Sequence, residues 1–443
     1  MKKMNIKYNL VVLAAFCCTA IGSAQDIVTQ EQAVKLALEN NYGIKIAKQA
    51  VEVAENNTSV LNSGYLPTLT GAAGATYNLD NTEAEFSNGA PPTSLKGAES
   101  NRYNASVNLN YTIFDGLGRQ YNYKSLKEQY QLSELQARET IENTVLQLFS
   151  VYYSVAQLTE NLDALQETLE VSKDRLVRAQ YQFDYGQNTK LGVLNAEVDI
   201  NNDSINIISS YQELKNAKRD LNVVLGNALN PEFAVSTAID FKLQFQKDDL
   251  FEKAKTHNVA LLQTEKNIAI SELDIKSNKS GFLPTIGLSG TYGWNKNNNN
   301  GASFVSVSTN TGLSGGLNLS WNLFDGGSTI IKVRNAKVNL ETQKLQKENI
   351  LIGIQRDFEN AWEDFENKLK IFNIQQQNII TSQNNFERTQ ENFKIGQVNS
   401  IEFRQAQLNL LNAELSRNQA KYQAKLAELQ LLQLSGELLN VDF

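Results

Sequence analysis

Apolar residues recur along this chain with two different periods, and each period marks a different kind of element. From Gly118 to Tyr185, and again from Ser328 to Ile395, no proline interrupts the chain. In the first stretch Ile141, Val145, Leu148, Tyr152 and Val155 step by four, three, four and three. Leu162, Leu165, Leu169, Leu176, Ala179 and Phe183 carry the series on. In the second stretch Ile354, Phe358, Ala361 and Phe365 lead into Phe372, Ile379, Phe386 and Phe393. A shorter segment follows each: Val193, Ile200, Ile207, Leu214 and Leu221, then Leu408, Leu415, Tyr422 and Leu429. A sustained seven-residue repeat predicts helices lying side by side with a left-handed supercoil. At ~1.5 Å per residue each long helix would reach about 100 Å, far more than one globular core needs.

The second period is two. Val107, Leu109, Tyr111 and Ile113 alternate with Ser106, Asn108, Asn110 and Thr112. Leu317, Leu319, Trp321 and Leu323 alternate with Asn318, Ser320 and Asn322, and Leu69, Tyr77, Ile286, Leu288, Tyr292 and Trp294 extend the pattern. Such alternation predicts strands with one apolar and one polar face. It fits a soluble sandwich with one wet face as well as a tilted membrane strand. Residues 80–104 and 295–312 are rich in Asn, Ser and Gly, and are expected to be long polar loops at one end of the strands. Four strands cannot close a barrel, because the smallest known have about eight. Open edges are not tolerated in lipid, so spanning strands would need several chains to share one barrel.

The chain carries its plan twice. Ser63-Gly64-Tyr65-Leu66-Pro67-Thr68 returns as Ser280-Gly281-Phe282-Leu283-Pro284-Thr285. Phe114-Asp115-Gly116 returns as Phe324-Asp325-Gly326, Tyr185-Gly186-Gln187 as Ile395-Gly396-Gln397, and Leu225-Gly226 as Ser435-Gly436. Each half reads helix, strand, strand, very long helix, tight turn, helix. The expected divisions are a signal peptide over 1–24, a first repeat over 25–226 and a second over 253–436. A linker over 227–252, around Pro231 and Phe233, forms a small packing element of its own, and a tail covers 437–443.

Lys2, Lys3 and Lys7, an apolar run from Leu10 to Ile21, and Gly22-Ser23-Ala24 read as a secretory signal. Cys17 and Cys18 are the only cysteines. Phe16 and Cys17 precede them where a lipid-modified cysteine needs a small residue, so a lipoprotein is disfavoured. An exported chain without disulfides must rely on packing or assembly. Lys+Arg number 41 against 48 Asp+Glu, a formal charge of −7. Dispersed acidity of this kind does not suit a nucleic-acid binder. His257 is the single histidine, read as a surface residue, and no Gly-rich phosphate loop with Lys appears. No catalytic residue, cofactor or metal site is assigned, and the chain is read as a non-enzyme. Trp294 and Trp321 are assigned to an aromatic interface belt and Trp362 to helix packing.

Signal, duplication, paired strands and long helix hairpins together resemble the TolC-like outer-membrane efflux protein family. The carrying motifs are Tyr65-Leu66-Pro67-Thr68, Phe282-Leu283-Pro284-Thr285, the two Phe-Asp-Gly turns and the two hairpin ends. The resemblance implies an α+β membrane protein. Three chains would share a barrel of twelve transmembrane strands, continuous with a periplasmic barrel of twelve helices. It implies a passive exit duct of a tripartite efflux or type I secretion system in the outer membrane. The partners would be a periplasmic adaptor protein, an inner-membrane RND or ABC transporter and outer-membrane lipid. A trimeric coiled-coil surface adhesin or stalk is the alternative, although Gly186 and Gly396 imply two-way hairpins that such stalks lack.

The same resemblance implies site residues. The adaptor would grip Tyr185, Gly186, Gln187, Asn188 and Thr189 on one hairpin end and Gly396, Gln397, Val398, Asn399 and Ser400 on the other. Gly186 and Gly396 are expected to end their helices, and Thr189 and Ser400 to cap the next. Relatives narrow the tunnel with two acids after the tip glycine. Those places hold Glu402 and Gln405 here, and Gly192 and Asn195 in the first repeat. A single ring of three Glu402 would attract cations. An arginine that latches some relatives would fall near Val398.

Overall fold

The computed structural model describes residues 27–87, 89–230, 232–241 and 245–441. The expected signal peptide, Cys17, Cys18, Pro231 and Phe443 lie outside the described residues. The chain divides into two compact units, one of Ala50–Leu135 and Gln263–Glu348, the other of Met1–Gln49, Gln136–Leu262 and Asn349–Phe443. We call them the sheet unit and the core unit. Each draws on both repeats.

In the sheet unit, β2 (Thr68–Ala84) pairs with β3 (Thr93–Phe114), β3 with β5 (Thr285–Asn298) and β5 with β6 (Val307–Ser320), all antiparallel. Strands from the two repeats meet at β3–β5. Across one face run Leu69 beside Leu109, then Val107, Tyr292 and Leu313, then Tyr111, Leu288 and Leu317. Across the other run Thr70, Asn108, Thr291 and Ser314. Thr291 Oγ1 lies 2.9 Å from Asn108 Oδ1 and donates to it. Nothing covers the apolar face among the described residues: Leu69, Tyr292, Leu313 and Leu317 are all exposed.

The expected loops over 80–104 and 295–312 are mostly strand. Only 85–92 and 299–306 separate the paired strands. A backbone ladder needs no apolar side chain to continue, so Asn, Ser and Thr carry it outward. Leu317 and Leu319 lie in β6, but the strand ends at Ser320. Trp321 and Leu323 stand beyond it, and the Trp321 indole donates to the Phe282 carbonyl at 3.1 Å.

The Phe-Asp-Gly turns start the long helices α3 (Gly118–Asp184) and α7 (Ser328–Lys394). Asp115 Oδ2 accepts from the Arg119 amide at 2.8 Å, and Asp325 Oδ2 accepts from the Thr329 amide at 2.8 Å and hydroxyl at 2.6 Å. An acid at this place satisfies amides the helix leaves unpaired. The Thr329 hydroxyl and amide hold the Asp325 carboxyl below its ordinary value. A lowered carboxyl stabilises above the ordinary carboxylate range, and the contribution is lost as pH falls through the lowered value. Protection of the Thr329 amide against hydrogen exchange should therefore decline on acidification in the natural chain. In Asp325→Ala it should be low at every pH. A protection factor indifferent to both would contradict the cap.

The core unit begins with β1 (Ile27–Val28), which lies parallel to β4 (Ala234–Val235). The Tyr152 hydroxyl of α3 fastens both strands, donating to the Val28 carbonyl at 2.8 Å and accepting from the Ser236 amide at 3.1 Å. Burial pushes its pKa up to about 12, and pushes those of Tyr153 and Tyr422 up as well. Phe149 stacks on Tyr153 at 5.5 Å between ring centres, and Tyr153 packs on Tyr422 at 5.6 Å. Phe233 and Val235, from the segment expected to pack by itself, are buried in this same core. A second cluster joins Leu250, Leu261, Phe358 and Leu431, with Trp362 packed against it.

One device occurs twice. Helices α1 (Gln30–Asn40) and α2 (Tyr42–Asn57) meet at Asn41, whose amide group donates to the Val224 carbonyl at 2.9 Å. Helices α5 (Lys247–His257) and α6 (Val259–Lys279) meet at Asn258, which donates to the Leu434 carbonyl at 3.0 Å. These carbonyls lie at the ends of α4 (Lys190–Val224) and α8 (Ser400–Leu434), just before Gly226 and Gly436. Among the described residues, no helix is long and apolar enough to cross a membrane.

Candidate functional site

The hairpin ends are built by local rules. Gly186 has φ +72° and Gly396 φ +79°, conformations that L side chains avoid. The Gln187 amide reaches back to the Gln182 carbonyl at 2.7 Å, and that of Gln397 to the Asn392 carbonyl at 2.9 Å. Both are Schellman-type closures. The return helices differ from expectation at their caps. Thr189 stands at the cap position without a side-chain cap bond, while Asn188 Oδ1 accepts from the Thr189 amide at 2.8 Å. Asn399, not Ser400, caps α8, accepting from the Ile401 amide at 3.0 Å and the Glu402 amide at 2.9 Å. A two-acceptor amide oxygen one residue earlier satisfies both, and leaves Ser400 as the first helical residue.

Tyr185, Gly186, Gln187, Thr189, Gly396, Gln397 and Asn399 are exposed, whereas Asn188, Val398 and Ser400 are half-buried. Glu402 and Gln405 are exposed one helical turn apart. Gln405 donates to Asn409 Oδ1 at 2.8 Å. Their buried neighbours Phe403 and Ala406 face the other way, where Phe403 stacks on Phe393 at 4.7 Å.

Above these ends lies a polar cluster that periodicity alone did not single out. Asp203 of α4 is buried in the seam between hairpins. Arg404 of α8 grips it bidentately, Nη2 to Oδ1 at 2.6 Å and Nη1 to Oδ2 at 2.9 Å. Ser172 Oγ of α3 donates to Asp203 Oδ2 at 2.6 Å, and Gln407 donates to the Thr168 carbonyl at 2.8 Å. Arg175, whose side chain is 2% exposed, pairs with Asp199. Arg178 donates to the Lys394 carbonyl at 2.9 Å. All four helices of the two hairpins are thus joined by charged hydrogen bonds. The signal was present: the buried residues of α4 run Val193, Ala196, Asp203, Ser210, Leu214. Two polar residues therefore occupy seam positions, where the expected Ile200 and Ile207 are only half-buried. Beside the cluster opens a groove of about 450 Å³ lined by Val171, Arg175, Arg178, Tyr181, Phe393 and Phe403.

A sequence profile of the family described as "Outer membrane efflux protein" matches residues 33–227 and 250–437, most of both repeats. The chain belongs to the outer membrane efflux protein family. That family consists of transport proteins rather than enzymes, and it places this chain in the outer membrane. The outer membrane efflux protein BepC of Brucella suis is 20% identical over 423 residues, covering 94% of this chain and 87% of BepC. The outer membrane protein TolC of Escherichia coli is 22% identical, covering 77% of this chain and 68% of TolC. Among solved structures, the CmeC outer membrane channel of Campylobacter jejuni superimposes with a TM-score of 0.75 at 18% identity. That match covers 92% of this chain and 86% of CmeC, so the two share one fold. The paired tips and the buried arginine–aspartate cluster belong to an outer membrane efflux protein.

Proposed function

We propose that three copies of this chain form one outer-membrane duct, the passive exit of a tripartite efflux or type I secretion system. One observation carries the reading: a four-stranded sheet whose apolar face is uncovered and whose outer strands, β2 and β6, each have one unpaired edge. Lipid accepts such a sheet only when its edges are closed. Three copies would pair β6 of one with β2 of the next, close the ring, and turn apolar residues outward and Asn, Ser and Thr inward. The helices support a second copy as the neighbour. Leu191, Leu194, Val198, Ile205 and Ile208 of α4 are exposed at coiled-coil spacing, a stripe without a partner among the described residues.

In this arrangement the hairpin ends face the periplasm. Tyr185, Gly186, Gln187, Asn188 and Thr189, with Gly396, Gln397, Val398, Asn399 and Ser400, receive the adaptor that couples an inner-membrane RND or ABC transporter. Glu402 and Gln405 line the narrowest ring, where three carboxylates favour cations. The Arg404–Asp203 pair and the bond from Arg178 to the Lys394 carbonyl hold the two hairpins of one chain together in the closed state, while Arg175–Asp199 ties the two helices of the first hairpin.

The test is purification in detergent, light-scattering mass and reconstitution in planar bilayers. A three-chain particle with discrete conductance is expected, and Glu402→Gln should reduce its preference for potassium over chloride by several-fold. A stable single-chain particle without conductance would overturn the duct. Unchanged selectivity in Glu402→Gln would remove that residue from the constriction.

A further inference from the structure

Over five consecutive rows the polar face of the sheet carries a single charge. These rows run from Thr68, Asn110, Ser289 and Gly316 at one end to Thr76, Arg102, Asn297 and Ser308 at the other. Every residue in these rows is Gly, Ala, Ser, Thr or Asn except Arg102. The neighbouring row holds Gly74, Asn104, Asn295 and Asn310, and the row beyond it Ala72, Ser106, Gly293 and Gly312. Arg102 is therefore the longest side chain in these five rows as well as their only cation. It is exposed, and Asn297 Oδ1 accepts from its Nε at 3.2 Å, which fixes the root of the guanidinium on the sheet.

No carboxylate on that face neutralises it. The nearest is Asp80, two rows farther out beside Ala98. At ~3.3 Å per residue the two rows span about 13 Å, against a screening length of about 8 Å at physiological ionic strength. Glu99 pairs with Leu79, on the apolar face. Lys296 also lies on the apolar face, beside Tyr103.

The geometry points to Arg102 as a selectivity residue of the duct: three copies form a cationic collar inside the barrel that favours anionic over cationic solutes at the exit. This rests on the three-chain duct proposed above. A ring of like charges whose nearest carboxylate on the same face lies beyond a screening length sets the local potential. The collar lies on the sheet and Glu402 at the hairpin ends, so each can be read independently of the other.

Cysteine accessibility reads the collar locally, and the only natural cysteines, Cys17 and Cys18, precede the described chain. Asn295→Cys places a thiol one strand and one row from Arg102, and Thr311→Cys places one on the opposite face. The probes are a sulfonate and a trimethylammonium methanethiosulfonate. At Asn295→Cys the sulfonate should react faster relative to the cation, and Arg102→Gln should lower that ratio roughly threefold while Arg102→Lys preserves it. In a salt gradient, Arg102→Gln and more strongly Arg102→Glu should shift the reversal potential toward potassium permeation. A ratio and a reversal potential both unmoved by Arg102→Gln overturn the collar. A thiol at 295 that is shielded by lipid while 311 reacts overturns instead the orientation of the sheet, and with it the duct.

Discussion

Asp203→Ala should destabilise the core unit by about 3–5 kcal/mol, the usual cost of stranding one partner of a buried ion pair. The loss follows from what remains. Arg404 would keep its guanidinium in the seam without the two carboxylate oxygens it now grips, and Ser172 would lose its acceptor. Differential scanning fluorimetry should show a large fall in the unfolding midpoint. Single channels should spend more time in open levels, because the two hairpins of a chain would be less firmly joined. Replacing both partners, Asp203→Leu with Arg404→Leu, should recover much of the stability, since apolar residues of similar volume often substitute for buried pairs. A midpoint within a degree of the natural protein for Asp203→Ala would show the cluster to be idle.

Gly436→Ala should be comparably severe. Gly436 has φ +73°, and left-handed backbone costs a residue with a side chain about 1–3 kcal/mol by itself. A Cβ there would also collide with the backbone carbonyl of His257, which cannot move without unseating the α5–α6 junction. Gly226 repeats the situation with φ +72°, and its Cβ would come 2.5 Å from the Asn40 carbonyl. Gly396→Ala makes a useful contrast. It carries the same kind of φ, but nothing lies within 4 Å of its Cβ position. Heat resistance of the purified assembly should therefore drop far more for Gly436→Ala and Gly226→Ala than for Gly396→Ala. Equal losses at the three would mean that the collision is relieved by local movement.

Much of the architecture was legible because strong local chemistry marks it. The long helices end at Asp184 and Lys394 because glycines follow that can take positive φ. They begin after Asp115 and Asp325 because a carboxylate satisfies their first amides. Strand length was less legible. Asn104, Asn295 and Asn310 look like loop residues one at a time, yet side by side they extend a ladder that backbone hydrogen bonds sustain. The hairpin ends were visible as glycine turns, but the capping residue was not, since Thr189 and Asn399 occupy equivalent places and only the second bonds. The Arg404–Asp203 pair was hidden for a different reason. A charge on a helix is normally solvated, and only a neighbour distant in sequence reveals that this one is not.

The anchoring of β1 by Tyr152 has a practical consequence for anyone labelling this molecule. Val28 is buried beneath that hydroxyl, and Leu438, just past α8, is buried in the same core. Bulky fusions placed close to either would compete with packing for space. The connections between β2 and β3 and between β5 and β6 join neighbouring strands, and most of their described residues are exposed. Epitopes or fluorophores inserted there should report surface display in whole cells while leaving assembly undisturbed.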